Sequence, residues 1–223
     1  MPAPRMIDVR TPDRPTGVVL VLHGGASRRQ SMMVSPTQLS VLRMVPIAKR
    51  VALVGRGRLA VFRLLNSVRG WDTHHTPLRD VDWAMGQVRE RYEVQLPTCL
   101  VGHSLGGRAA LMAGEQPGVR SVVALNPWVY PSDSADLSGR EVLIVHGDAD
   151  RIAAPSRSAV VARALGRTAH VGYVTVPGGK HAMLRHHRVF DRMAAEFAAA
   201  TLLGDDASGP VGQVLAGEQW VTA

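Results

Sequence analysis

Much that would assign a protein quickly is missing from this sequence. There is one cysteine, Cys99, so no internal disulfide can form and the small disulfide-stapled folds are excluded. Set in the apolar stretch Thr98 to Val101, that thiol reads as a packing residue rather than a reactive one. Aromatic residues make up only 4% of the chain and no nucleic-acid-binding motif is present, so a nucleic-acid partner is not expected. No run approaches the roughly 20 apolar residues of a membrane span. Val18 to Leu22, the first clean apolar run, has the length of a strand. Met1 to Gly17 holds four prolines and mixed charge where a signal peptide would be apolar, so a cytoplasmic protein is expected.

Acidic residues are scarce in one region. Between Asp13 and Asp72 there is none, while ten arginines and lysines fall in that interval. Residues 1 to 92 carry fifteen basic against six acidic side chains; the remainder is close to balanced. Lysine is limited to Lys49 and Lys180, so an arginine-biased composition accounts for much of this asymmetry. What it leaves open is a weak, salt-sensitive contact with an anionic membrane surface.

What is present is a regular alternation of elements. Strands are expected at Met6 to Arg10, Val18 to Leu22, Leu59 to Leu65, Thr98 to Val101, Ser121 to Leu125, Glu141 to Val145 and His170 to Val176. Helices are expected over Leu39 to Leu53, where Pro46 must start, kink or split the turn, and over Leu78 to Tyr92 behind Pro77. Further helices follow Ser104 to about Gln116, Ser156 to Leu165 and His186 to Leu203. This pattern predicts an α/β fold, a mostly parallel central sheet of about seven strands with helices on both faces. With 223 residues, one domain over residues 1–203 is the natural division, and the small, polar residues 204–223 read as a loosely packed tail.

Against that frame Gly102-His103-Ser104-Leu105-Gly106 stands out, because it joins the Thr98 strand to the next helix. This is the pattern of a nucleophile elbow, in which a serine sits on a tight strand-to-helix turn. Glycines two residues on either side are needed because a Cβ there would strike the neighbouring strand or helix. Three other strand ends carry chemistry-bearing residues: His23-Gly24-Gly25, His146-Gly147-Asp148-Ala149-Asp150, and Gly178-Gly179-Lys180-His181. Ligands in such sheets meet the carboxyl ends of the strands. Ser104, an aspartate and His181 thus follow one another in the order nucleophile, acid, base.

In these four elements the chain resembles the α/β-hydrolase fold superfamily, closest in pattern to its small capless esterases, lipases and dienelactone-hydrolase-like members, over roughly residues 18 to 203. The resemblance implies a serine hydrolase that cleaves a carboxylic ester or thioester through an acyl-enzyme. Ser104 would be the nucleophile, His181 the base and Asp150 the residue that orients it. The backbone N–H of Leu105, with that of Gly25 or Ala26, would form the oxyanion hole. Relatives place the acid last in the His-Gly-x-x-Asp pattern, which favours Asp150 over Asp148. The same machinery serves an acyltransferase, and a non-catalytic ligand-binding member of the fold is the remaining alternative.

His186 and His187 are expected to lie on the last helix and to point away from the site, and His23 and His103 to shape loops rather than act as bases. His74 and His75 beside Asp72 lack further ligands at metal-binding spacing, so neither a metal nor another cofactor is expected. Only Asn126 to Arg140 separates two strands where larger relatives insert a lid, so the site should be open. Met32, Met33, Trp128 and Tyr130 are the candidate walls for the acyl group, with Trp71 a weaker one, and the partner is a small-molecule acyl ester or thioester.

Overall fold

In a computed structural model, which describes residues 3–25, 34–72 and 74–223, the strands form one eight-stranded sheet. The strands are β1 (Arg5–Arg10), β2 (Gly17–Leu22), β3 (Leu59–Leu65), β4 (Thr98–His103), β5 (Val119–Leu125), β6 (Glu141–Gly147), β7 (His170–Val176) and β8 (Trp220–Thr222). Their order is β1-β3-β2-β4-β5-β6-β7-β8. Only β1 runs antiparallel to its neighbour; every other pairing is parallel.

The helices between them are α1 (Leu39–Leu42), α2 (Met44–Val54), α3 (Thr76–Tyr92), α4 (Leu105–Ala113), α5 (Pro155–Leu165), α6 (His187–Leu203) and α7 (Gly209–Leu215). Alternate residues of a strand point to opposite faces, so β2 feeds two cores at once. Val18, Leu20 and Leu22 join the layer under α3, α4 and α5, and Val19 and Val21 the layer under α2, α6 and α7. Burial on both faces is why the central strands read as unbroken apolar runs rather than alternating ones. Cys99 sits mid-strand in β4, fully buried, and burial pushes its thiol up to about 12.

The expected helix over Leu39 to Leu53 is split at Arg43, and Pro46 falls in the first turn of α2, where its missing N–H costs nothing. The start of α3 is held by Asp72, whose carboxylate accepts from the Thr76 amide at 2.8 Å and from the Thr76 hydroxyl.

The expectation of a loosely packed tail is corrected. Val211 and Val214 of α7 are buried, and a Cβ on Gly172 of β7 would come within 2.1 Å of Val214, so the helix seats directly on the strand. β8 then pairs with β7, setting Trp220 against Tyr173 with ring centroids 4.9 Å apart. The missing side chain of Gly172 is what allows this close approach. Asp205 also accepts a two-pronged bond from Arg58, at 3.0 and 2.6 Å.

Candidate active site

The link from β4 to α4 is as tight as its glycines imply. A Cβ on Gly102 would lie 2.0 Å from the Gly106 carbonyl oxygen, and one on Gly106 would lie 2.5 Å from that of Leu22. Ser104 between them adopts φ 57° and ψ −120°, a strained conformation for a side-chain-bearing residue. Its amide donates to the Leu125 carbonyl at 3.0 Å, while its own carbonyl accepts from Arg108 at 3.1 Å and Trp128 at 3.0 Å, so the turn is held from both sides.

The hydroxyl so presented meets His181 from the turn after β7. His181 Nε2 is 3.0 Å from Ser104 Oγ, and His181 Nδ1 is 2.8 Å from Asp150 Oδ2. With its proton on Nδ1, the ring turns the Nε2 lone pair toward the hydroxyl. Asp148, the rival acid, spends its carboxylate on the Gly178 amide at 2.7 Å.

Asp150 is buried, which opposes its charge. Hydrogen bonds from His146, from His181 and from the Ala153 and Ile152 amides outweigh that penalty and hold its carboxyl well below the usual range. His146 was not singled out as a site residue by sequence reasoning. It is fully buried, with Nε2 3.1 Å from the Ala153 carbonyl and 3.4 Å from Asp150 Oδ2, and Nδ1 2.7 Å from Ser158 Oγ. One carboxylate oxygen is therefore shared by two imidazoles. The only sequence signal for this is the i, i+4 spacing of His146 and Asp150 in the turn.

Asn126, at the end of β5 with φ 42°, was also missed. Its Nδ2 donates to the carbonyls of Lys180 and His181, each at 3.1 Å, and its Oδ1 accepts from the Gly147 amide at 2.9 Å. His103 Nε2 donates to the same His181 carbonyl at 2.8 Å. Burial, first, and the neighbouring His181 push the His103 pKa down to about 3, so this ring is a neutral prop for the His181 loop. His23 is likewise buried, and that lowers its pKa. Its Nδ1 donates to the Gly24 carbonyl at 2.6 Å, and its Nε2 accepts from the Asn66 amide at 3.2 Å.

Leu105 opens α4, so its amide belongs to the first turn, whose N–H groups have no acceptor within the helix. Gly24 and Gly25 border the same space. Ala26, Met32 and Met33 lie outside the described residues. Next to Ser104 opens a cavity of about 920 Å³. Trp128, Leu39, Leu42, Ile152 and Leu184 supply apolar lining, and no cap domain stands over it among the described residues.

Two expectations need correction. His187 does not point away: it borders the cavity, because it is the first residue of α6 and its Nδ1 is tied back to the Leu184 carbonyl at 3.0 Å. Tyr130 does not border it. It meets Trp128 in edge contact at 5.0 Å and has the Arg108 guanidinium 4.8 Å over its ring. That guanidinium lies 4.1 Å over Trp71 as well and is forked onto Asp133 at 2.8 and 2.7 Å. Among the described residues no cluster of three or more His, Cys, Asp or Glu is placed to hold a metal ion, and no helix is long and apolar enough to cross a membrane.

No family model and no curated protein sequence matches the chain. Solved structures do. A lidless α/β serine hydrolase from Xanthomonas campestris is 18% identical with a TM-score of 0.67, over 92% of this chain and 90% of that one. Est1E from Butyrivibrio proteoclasticus is 17% identical with a TM-score of 0.62, over 87% of this chain and 91% of that one. An esterase from the archaeon Pyrobaculum calidifontis is 15% identical with a TM-score of 0.65, over 89% and 86%. Such identities speak to architecture, and together with the parallel sheet and the tight turn at Ser104 they show that this chain has the α/β-hydrolase fold.

Proposed function

We propose that the protein is a serine hydrolase that cleaves a carboxylic ester or thioester. The observation that carries this reading is one imidazole, His181, within hydrogen-bond reach of both the Ser104 hydroxyl and the Asp150 carboxylate. Ser104 Oγ attacks the acyl carbon while His181 Nε2 takes its proton. Asp150 keeps the Nδ1 proton in place and offsets the positive charge that develops on the ring. Negative charge on the acyl oxygen is met by the Leu105 amide and a second donor from the β2 loop, Gly25 or Ala26. His181 hands its proton to the departing alcohol or thiol, leaving an acyl-Ser104 ester. Water, deprotonated by the same imidazole, then cleaves that ester and restores the hydroxyl.

The neighbouring structures support the reading. Two are described as esterases or serine hydrolases, and Est1E is also seen with ferulic acid bound. A cavity bordered by Trp128, Leu39, Leu42, Leu105, Ile152 and Leu184 suits the acyl group of a small-molecule ester. The test is covalent labelling by a fluorophosphonate, read by mass spectrometry, beside turnover of a graded series of 4-nitrophenyl esters and acyl thioesters. Label on Ser104 and turnover abolished in Ser104→Ala are expected. An unlabelled Ser104 in folded protein sinks the proposal.

A further inference from the structure

Among the described residues that border the cavity there are two arginines, Arg43 and Arg69, and no carboxylate. Each is anchored within one residue of the parts just described. Arg43 Nε donates to the carbonyl of Ala182, next to His181, at 3.2 Å, and its Nη2 meets Asp191 at 2.9 Å. That side chain is only 8% exposed, yet its Nη1 has no hydrogen-bond partner. Arg69 lies on the turn after β3, which is fastened where the Ser67 amide and hydroxyl donate to buried Asp80 at 2.8 and 2.9 Å. The Arg69 backbone packs on Gly25, whose added Cβ would come within 3.8 Å of the Arg69 carbonyl carbon. Its Nε is buried and unpartnered too, and no ion pair among the described residues includes it.

A guanidinium N–H withdrawn from water without an acceptor is costly, and native structures rarely leave one so. Here the two arginines that carry such groups, on elements far apart in the chain, border one cavity beside the same serine. The charge of Arg43 is shared with Asp191; that of Arg69 is not balanced by any described carboxylate. Both side chains are fork-shaped donors suited to a planar carboxylate or a phosphate. The aliphatic walls lower the local dielectric and so strengthen any such pairing.

Resting on the hydrolase reading, we propose that the preferred substrates are acyl esters bearing a negative group, a carboxylate or a phosphate, that pairs with Arg69 and Arg43 while the ester lies at Ser104. The hydrocarbon between the two ends then runs along Leu39, Leu42, Ile152 and Leu184.

The test compares mono-4-nitrophenyl adipate with its methyl-capped, neutral counterpart. The charged ester is expected to have a kcat/KM about 10- to 100-fold higher, the range of a charge-assisted hydrogen bond. Arg69→Gln should bring the ratio toward one, whereas Arg120→Gln, at an exposed position of β5, leaves it as it was. The pair Arg43→Gln with Asp191→Asn lowers the ratio without stranding a buried carboxylate. Equal rates for the two esters, or an unchanged ratio in Arg69→Gln, overturn the proposal. Inorganic phosphate and adipate, tried as competitive inhibitors, separate the two sources of charge by which inhibits more strongly; inhibition by neither counts against the site. Should neither ester turn over, the hydrolase reading fails alone, and calorimetry decides this one: binding of adipate or phosphate that Arg69→Gln abolishes upholds it, and no binding by the parent protein overturns it.

Discussion

The middles of β2, β4, β5 and β6 and their carboxyl ends obey opposite rules. The middles are aliphatic side chains, with Cys99 among them, buried on both faces and in relaxed extended backbone. Within a few residues the same strands bury His23, His103, Ser104, Asn126, His146 and Asp150 and force Ser104 and Asn126 into positive φ. Polar burial and backbone strain of this kind are unfavourable by themselves. They persist because a close-packed sheet beneath leaves the rim no softer alternative. The difference teaches that stability and chemistry are segregated along the strands, and each side of that division can be attacked separately.

The largest effect should come at the rim. Ser104→Ala is expected to lower ester turnover by about 10⁶-fold, since triad members act as a unit, while its urea midpoint stays close to that of the parent, because only the hydroxyl and its one bond to His181 are removed. A clear loss of stability would blur the division. Next in size, Asp150→Asn should cost about 10⁴-fold in kcat by favouring the wrong tautomer of His181. Asp148→Asn should cost only a few fold, because an amide oxygen still accepts from Gly178. Steady-state kinetics on both variants checks this, and the reverse ranking would move the acid two residues upstream.

In the sheet, Phe62→Ala on β3, which is fully buried, should cost about 3–5 kcal/mol of stability. The kcat of whatever remains folded should be nearly unchanged, as measured by chemical denaturation beside turnover per active site. The smallest effect is a pH slope. His103 stays neutral down to about 3, whereas the same residue in the unfolded chain takes a proton near 6.5. The unfolded state binds more protons between those values, so stability falls as pH drops below about 6.5, by at most about 1.4 kcal/mol per pH unit from this residue. His23, shifted the same way, adds to the slope. His103→Gln keeps a donor for the His181 carbonyl and should flatten the dependence of the urea midpoint between pH 7 and 5.

The same division decides what could be read in the chain. Strand middles announce themselves as apolar runs, and the elbow does so because its glycines and serine are contiguous. The supports of the site are not local. Asn126 reaches Lys180 and His181, more than fifty positions away, and nothing around it distinguishes it from an ordinary loop asparagine. The arginines that border the cavity sit in a basic region where arginine is the commonplace residue. His187 and Tyr130 were misplaced because their directions depend on a tie to Leu184 and on the Arg108 guanidinium, which no periodicity encodes. The packing of α7 went unseen because its decisive partner, Gly172, is a missing side chain on another element.

Cys99 offers a use for the quiet part of the molecule. As the sole sulfhydryl of the chain, enclosed in the innermost ribbon with its ionisation suppressed, it can be modified by an alkylating reagent only during moments when that ribbon comes apart. The pace of alkylation would then count those openings one molecule at a time, a clock for breathing of the interior that runs independently of whether the serine is working.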